Sequence, residues 1–227
     1  MKSFSQAEDS MSSFSNAAGA IILDKMIGAI RENKQYLSDI DGAIGDGDHG
    51  INMNKGFSMT QEALEKAPGD FSHGLLTLSR TLMMRIGGSM GPLYGKIFKI
   101  MGKTFEGAER IDAGLMGTAL QQVREGLGAL TPAQPGDKTL VDALYPSIDA
   151  YLTALEEGET FAGALAAMKQ AAETGRDATK EMVARLGRSS RLGERSRGVT
   201  DAGAASCALL LGVMADTITG LLNGDQH

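Results

Sequence analysis

Apolar residues recur along this chain mostly with the spacing of a helix and seldom with that of a strand. In AAGAIILDKMIGAIREN, Ile22, Met26 and Ile30 fall at i, i+4 and i+8, one stripe on a helical surface. Similar stripes run through GLLTLSRTLMMRI, DAGLMGTALQQVREGL, DALYPSIDAYLTAL and FAGALAAMKQAAETG. The last run, AGAASCALLLGVMADTITGLL, is apolar nearly all round, which predicts the most buried helix. Ser, Asp or Thr before these runs and Gly after several of them serve as caps. No series of short β-branched strands alternates with the helices, so a parallel sheet is not expected. The pattern predicts an all-α chain of about eight helices, with a single domain over 16–227 and a flexible tail over 1–15.

The interruptions are as informative as the stripes. Glycine gathers in DGAIGDGDHGINMN (Asp41 to Asn54), IGGSMGPLYG (Ile86 to Gly95), AQPGDKT (Ala133 to Thr139) and GRSSRLGERSRGVTDAGA (Gly187 to Ala204). Charged, glycine-rich loops on a helical scaffold bind ligands more often than they merely connect.

Composition narrows the picture. The 227 residues, 42% of them hydrophobic, suffice for one sizeable core and do not demand two domains. A net charge of −6 and a pI near 5.1 argue against general nucleic-acid binding. Cys207, the single cysteine, excludes an internal disulfide and reads as a small core residue. No uninterrupted apolar run reaches the length of a bilayer span, and MKSFSQAEDSMSSFSNAAG lacks the apolar centre of a signal peptide. A cytoplasmic chain with neither nucleic-acid nor membrane partners is the expectation.

The opening glycine-rich stretch carries three aspartates, Asp41, Asp46 and Asp48. Two carboxylates about 4 Å apart repel by roughly 4 kcal/mol at an effective dielectric of about 20. Such a cluster calls for a positive charge that the segment does not contain. Several familiar motifs fail here. GDGDHG, Gly45 to Gly50, matches G-x-G-x-x-G, but no buried strand precedes it and its aspartates would repel a bare pyrophosphate. An EF-hand counted from Asp46 has Ile51 at the sixth position and Phe57 at the twelfth, where Gly and Glu are needed. GKT at Gly102 to Thr104 lacks the earlier glycine of a P-loop. An oxygen-rich Mg²⁺ site survives, in which the acids hold the metal and the metal holds a polyphosphate. His49 and Asn52 stand where a helix start would favour phosphate oxygens. A solvated Asp/Gly turn with an N-cap explains the same spacing.

The other loops are less specific taken singly. GGSMGP reads as an anion nest or as an ordinary helix break. Gly136 to Thr139 suits a capped helix start. Arg185, Arg188, Arg191, Arg195 and Arg197 outnumber Glu194 in their stretch, and read either as an anion-recognising cluster or as a solvated loop. His73 reads as structural, and Met83, Met84 and Met116 as core filler.

In their order, IGDGDHGINMNKGF, GGSMGPLYG, PGDKTLVDAL and GRSSRLGERSRGVTDAGAAS are far more specific than any one of them. Together they resemble the nucleotide-binding L subunit of dihydroxyacetone kinases, from about Ile21 to Leu222. The resemblance implies a barrel of eight antiparallel helices with the nucleotide, ADP or ATP, lying across the loops at one rim. It implies Asp41, Asp46 and Asp48 as ligands of two Mg²⁺ ions, and His49, Gly50, Ile51 and Asn52 along the phosphates. Ser89 and Met90 would form the second phosphate loop, with Leu140 and Thr131 near the base. Arg188 would stabilise charge on the moving phosphoryl group and, with Asp201, Ala202 and Gly203, complete the nucleotide site. The family's ketose is held covalently by a histidine of a separate K subunit, which nothing in this chain resembles, so half an enzyme is implied.

This sequence departs from the family pattern at three places. Met90 stands where many relatives have a small polar residue, Ala202 replaces a common proline, and Arg191 a frequent aromatic. These changes leave the acceptor open between dihydroxyacetone and a tetrulose. The resemblance also leaves two donors: ATP directly, or a phosphotransferase-system phosphocarrier recharging resident ADP, the version a stand-alone L chain favours. A non-catalytic nucleotide-binding regulatory module is the competing reading, which the three intact acids disfavour. Lipid carriage rests only on the apolar residues Leu209 to Leu211 and Met214, which core packing explains more simply.

Overall fold

The structure, a computed structural model, describes residues 13–224. Eight α-helices form among these residues: α1 (Ala20–Ile44), α2 (His49–Lys66), α3 (Phe71–Arg85), α4 (Met90–Phe105), α5 (Ala113–Gly128), α6 (Val141–Glu156), α7 (Phe161–Ala178) and α8 (Ala202–Leu222). Each packs against the next, and α1 packs against α8, which closes the ring into a barrel. The predicted stripe of α1 points inward, with Ile22, Met26 and Ile30 all fully buried. One continuous hydrophobic cluster draws side chains from all eight helices. α8 is the most buried of them, with 13 of its 21 residues inside. By length and composition alone α8 could cross a membrane, which the uninterrupted-run criterion did not register. Leu210, Leu211 and Met214 instead belong to the barrel core, in line with the simpler explanation of that region.

Because the helices alternate in direction, every second connection falls at the same end. One rim gathers the segments 45–48, 86–89, 129–140 and 179–201, which include the glycine-rich loops. The opposite rim has the connections 67–70, 106–112 and 157–160 together with the chain entering α1. There β1 (Ser13–Ser15) pairs antiparallel with β2 (Arg110–Asp112), Phe14 lying opposite Ile111 with both buried. Asn16 then ties three connections. Its side chain donates to the carbonyls of Phe105 (3.2 Å) and Ala108 (2.9 Å) and accepts from the Ser72 amide (3.1 Å). Phe14, Phe71, Phe105, Phe161 and Tyr151 close this end with rings 5.8 to 6.4 Å apart.

Two expectations change. Most of the expected tail, residues 1–12, lies outside the described residues, but Ser13–Ser15 is a strand, because Phe14 finds a buried seat. Met116 is core, whereas Met83 and Met84 are exposed. The inward stripe of α3 passes through Leu75, Leu78 and Leu82, and its next two residues turn outward.

Candidate functional site

The glycine-rich acidic stretch is shorter as a loop than as a sequence. α1 continues through Asp41 to Ile44, α2 begins at His49, and only Gly45 to Asp48 connects them. Gly47 takes φ +74°, a left-handed turn that glycine adopts without strain and that reverses the chain in so few residues. Gly50 lets the helices close: a Cβ there would lie 2.0 Å from the Lys34 carbonyl oxygen. Asp41, from the last turn of α1, is thereby brought beside Asp46 and Asp48, one oxygen from each lying within 4.8 Å of the others. An all-carboxylate donor set, partly open to solvent, fits a hard divalent cation that keeps part of its hydration.

The chain supplies a cation of its own to this cluster. Arg188 Nη1 pairs closely with Asp46 Oδ2 and lies 3.7 Å from Asp48 Oδ2. The positive charge missing from the local sequence therefore arrives from the 179–201 segment. Arg188 begins a 3₁₀ stretch, Arg188–Ser196, directly after Gly187 at φ +72°. Arg197 turns instead to Glu194 and the Glu181 carbonyl, and Arg185 to Asp137 at 3.8 Å.

At the start of α2 the His49 amide donates to Asp41 Oδ2 at 3.2 Å. The ring Nε2 of His49 lies 2.8 Å from Ser206 Oγ on α8, which meets the Tyr94 hydroxyl of α4 at 2.7 Å. Both Tyr94 and Ser206 also reach the Gly203 carbonyl. Burial lowers the His49 pKa to about 4, against the pull of Asp41. The imidazole is therefore neutral at pH 7, a hydrogen-bonding group rather than a second cation. Asn52 lies a turn further along α2, and Ile51 is exposed beside it.

Ser89 and Met90 form the start of α4, with Ser89 exposed and Met90 half-buried against the core. Neither Asp48 at the head of α2 nor Ser89 at the head of α4 caps its helix through its side chain. Apart from the His49 amide, which Asp41 holds, the first amides of both helices thus have no capping side chain at the rim. Asp201 does cap α8, accepting from the Ala204 amide at 2.8 Å. Leu140 is buried against Gly203, so the expected base-contact residue meets the expected Asp201 to Gly203 segment. The Thr131 amide donates to the Leu127 carbonyl and its hydroxyl accepts from the Ala133 amide, both within its own connection.

Around Gly136 to Thr139 the structure adds a buried ionic cluster. Asp142, 2% exposed, accepts from the amides of Gly136 (2.5 Å) and Thr139 (2.6 Å). Lys138, 1% exposed, donates to the carbonyls of Met182 (3.2 Å), Ser196 (2.6 Å) and Val199 (2.6 Å). Burial pulls the Lys138 ammonium down from its usual pKa, with Asp201 opposing. Burial also pushes Asp201 up to about 7, although the Ala204 amide holds it back.

Sequence reasoning missed Tyr94, Ser206, Lys138 and Asp142. Ser206 sits within an apolar run that read as core, Tyr94 at the end of a glycine-rich stretch weighed only for its backbone, and GDKT read as a helix start. The rejected motifs remain rejected: GDGDHG joins two helices with no strand before it, and GKT lies inside α4.

Several known proteins are similar to this chain. Residues 43–216 match the DAK2 domain family. A PEP-dependent dihydroxyacetone kinase 1, ADP-binding subunit DhaL, of Listeria innocua is 40% identical over 189 residues, 83% of this chain and 89% of that one. A D-erythrulose kinase of Mycolicibacterium smegmatis is 31% identical across 89% of this chain, which spans 36% of that larger protein. The crystal structure of the C. freundii dihydroxyacetone kinase in complex with AMP-PNP and Mg²⁺ has the same fold. Its TM-score is 0.64 at 23% identity, covering 90% of this chain and 34% of that one.

Proposed function

This chain belongs to the DAK2 domain family, and from that premise we propose that it is the nucleotide-binding L subunit of a ketose kinase. It holds ADP or ATP with Mg²⁺ and passes a phosphoryl group to the terminal hydroxyl of a small ketose on a separate K subunit. The observation that carries this reading is the convergence of Asp41, Asp46 and Asp48 with Arg188 beside the uncapped starts of α2 and α4.

Asp41, Asp46 and Asp48 would hold the Mg²⁺, two ions in this reading. Mg²⁺, when bound, neutralises phosphate oxygens that the acids alone would repel. Amides and side chains of His49 to Asn52, and of Ser89 and Met90, line the phosphates from the two helix starts. Ser206 and Tyr94 hold the neutral His49 ring in place. Arg188 leaves the acids for the transferring group and stabilises charge spread over its oxygens; the protein supplies positioning and electrostatics rather than covalent chemistry. Leu140 and Thr131 bound the base, and Asp201, Ala202 and Gly203 close the site.

The donor is a phosphocarrier recharging resident ADP, in keeping with the PEP-dependent, ADP-binding Listeria relative. The acceptor is dihydroxyacetone or a tetrulose, the latter in keeping with the erythrulose kinase relative. Thermal unfolding with ADP or ATP, each with Mg²⁺ or chelator, tests the reading. Co-purifying ADP and strong Mg²⁺-dependent stabilisation are expected. An ATP preference without retained ADP would make the chain part of a direct kinase, and no nucleotide response would make it a non-catalytic module. Alone, the chain is expected not to phosphorylate dihydroxyacetone.

A further inference from the structure

A lysine before a threonine in a glycine-containing loop, Gly136 to Thr139, at the proposed phosphate rim invites assignment to the phosphates. The structure assigns Lys138 differently: it is a positioning residue that holds the Arg188 segment in place and acts on the nucleotide only through Arg188. Three observations carry this.

An ammonium has three hydrogens to donate. Lys138 Nζ is within hydrogen-bond distance of three carbonyl oxygens, those of Met182, Ser196 and Val199, which occupies its full donor capacity. It is also shielded from solvent, so no donor remains for a phosphate.

The three acceptors bracket the arginine. Met182 precedes Arg188, and Ser196 and Val199 follow it, so one ammonium draws together the two ends of the loop that carries the guanidinium. The neighbouring bonds close the same loop: the Ala184 amide donates to Ser196 Oγ at 2.9 Å, and the Arg185 amide donates to the Asp137 carbonyl at 3.1 Å. Arg188 itself is more than half exposed, and its ion-pair partners are Asp46 and Asp48. Its own packing does little to fix its position; the loop does.

Lys138 also adopts φ +61°, the one non-glycine residue with positive φ among the described residues. Such a conformation is unfavourable for a residue with a Cβ and persists where the surroundings over-determine it. Here they do so from both sides, since Asp142 binds the amides of Gly136 and Thr139 that flank the turn.

The inference rests on the proposed role of Arg188 at the phosphates, and a double-mutant cycle separates the two. Affinity for Mg²⁺·ADP is measured by calorimetry for the wild type, Lys138→Met, Arg188→Ala and the double variant. Each single variant is expected to weaken binding about tenfold, the scale of one hydrogen bond to a charged group. If Lys138 acts through Arg188, the double variant also loses only about tenfold. A product of roughly a hundredfold, the additive result, overturns the inference, as does an unchanged Lys138→Met. Unchanged Arg188→Ala overturns the assignment of Arg188 itself, and with it the route proposed for Lys138. Hydrogen exchange across 182–199 gives a readout independent of ligand: faster exchange in Lys138→Met is expected, and wild-type protection would overturn the inference. Should Lys138→Met fail to fold, Lys138→Gln, which keeps a donor but cannot reach all three carbonyls at once, replaces it in the same cycle. A tenfold loss in that double variant again supports the inference, and a hundredfold loss again overturns it.

Discussion

The two rims of the barrel treat the same structural element in opposite ways. Four helices begin at each. At the rim holding β1 and β2, Asp70, Asp112 and Thr160 cap α3, α5 and α7 through their side chains, at 2.7 to 3.1 Å, and only α1, which starts after Gly19, lacks a side-chain cap. At the other rim only α8 has such a cap, while α2, α4 and α6 have none. α6 starts after Leu140, whose side chain cannot cap, but for α2 and α4 the residue types are not the reason, since Asp48 and Ser89 are both good capping residues. Asp48 instead joins the carboxylate cluster, and Ser89 is left exposed. A helix start whose amides are satisfied by its own chain is finished structure. One whose amides point into a loop cluster retains both donors and dipole for an anion. Aromatic rings plug the first rim, while glycines and charges keep the second open.

The largest expected effect that would sharpen this contrast comes from Gly50→Ala. With the Lys34 carbonyl 2.0 Å from the new Cβ, α1 and α2 must separate, at about 3 kcal/mol by the scale of overpacked cores. Both the unfolding midpoint and Mg²⁺-dependent nucleotide stabilisation should fall; a wild-type response in both would refute the close-approach account. Next come Asp46→Ala and Asp48→Ala. These should abolish a ligand stabilisation of roughly 2.7 kcal/mol at about one hundred times the dissociation constant, with helicity unchanged by circular dichroism. Because Asp48 caps nothing, its removal should hardly destabilise the unliganded chain. Asp70→Ala, at the other rim, should do the reverse, lowering stability by about 1 kcal/mol while leaving nucleotide affinity untouched. Equal stability losses at Asp48 and Asp70 would break the comparison.

The smallest expected effect is one of pH, because two groups of the open rim oppose each other. Asp201, raised to about 7, keeps its proton in the folded chain where the unfolded one has lost it. Its contribution therefore makes stability fall as pH rises from 3.8 towards 7. His49, lowered to about 4, stays neutral where the unfolded chain is protonated, so its contribution makes stability rise between about 4 and 6.5. Together they nearly cancel in that window. Asp201→Asn should expose the rising slope and His49→Asn the falling one in denaturation series across about pH 4 to 7. Parallel profiles in the two variants would show the shifts to be absent.

What the sequence determined by itself was local and periodic. The stripe of Ile22, Met26 and Ile30 and the all-round apolar run of α8 specify which helical faces are buried, because a helix repeats every few residues. The spacing of Asp41, Asp46 and Asp48 among glycines pointed to an oxygen-rich site, whereas the structure decided that α1 runs through Asp41 and leaves only four connecting residues. The resemblance across the four loops supplied Arg188 and the nucleotide-facing segments, which no local rule would have joined. Only the tertiary structure decided which groups complete one another across the barrel. It brought Arg188 to Asp46, Ser206 and Tyr94 to His49, and Lys138 to three carbonyls more than forty residues further along. It also decided that Met83 and Met84 face outward and that Phe14 is seated in the core. Hydrophobic periodicity is encoded one turn at a time. The satisfaction of a buried donor or a crowded charge depends on whatever distant segment the closed ring of helices delivers beside it.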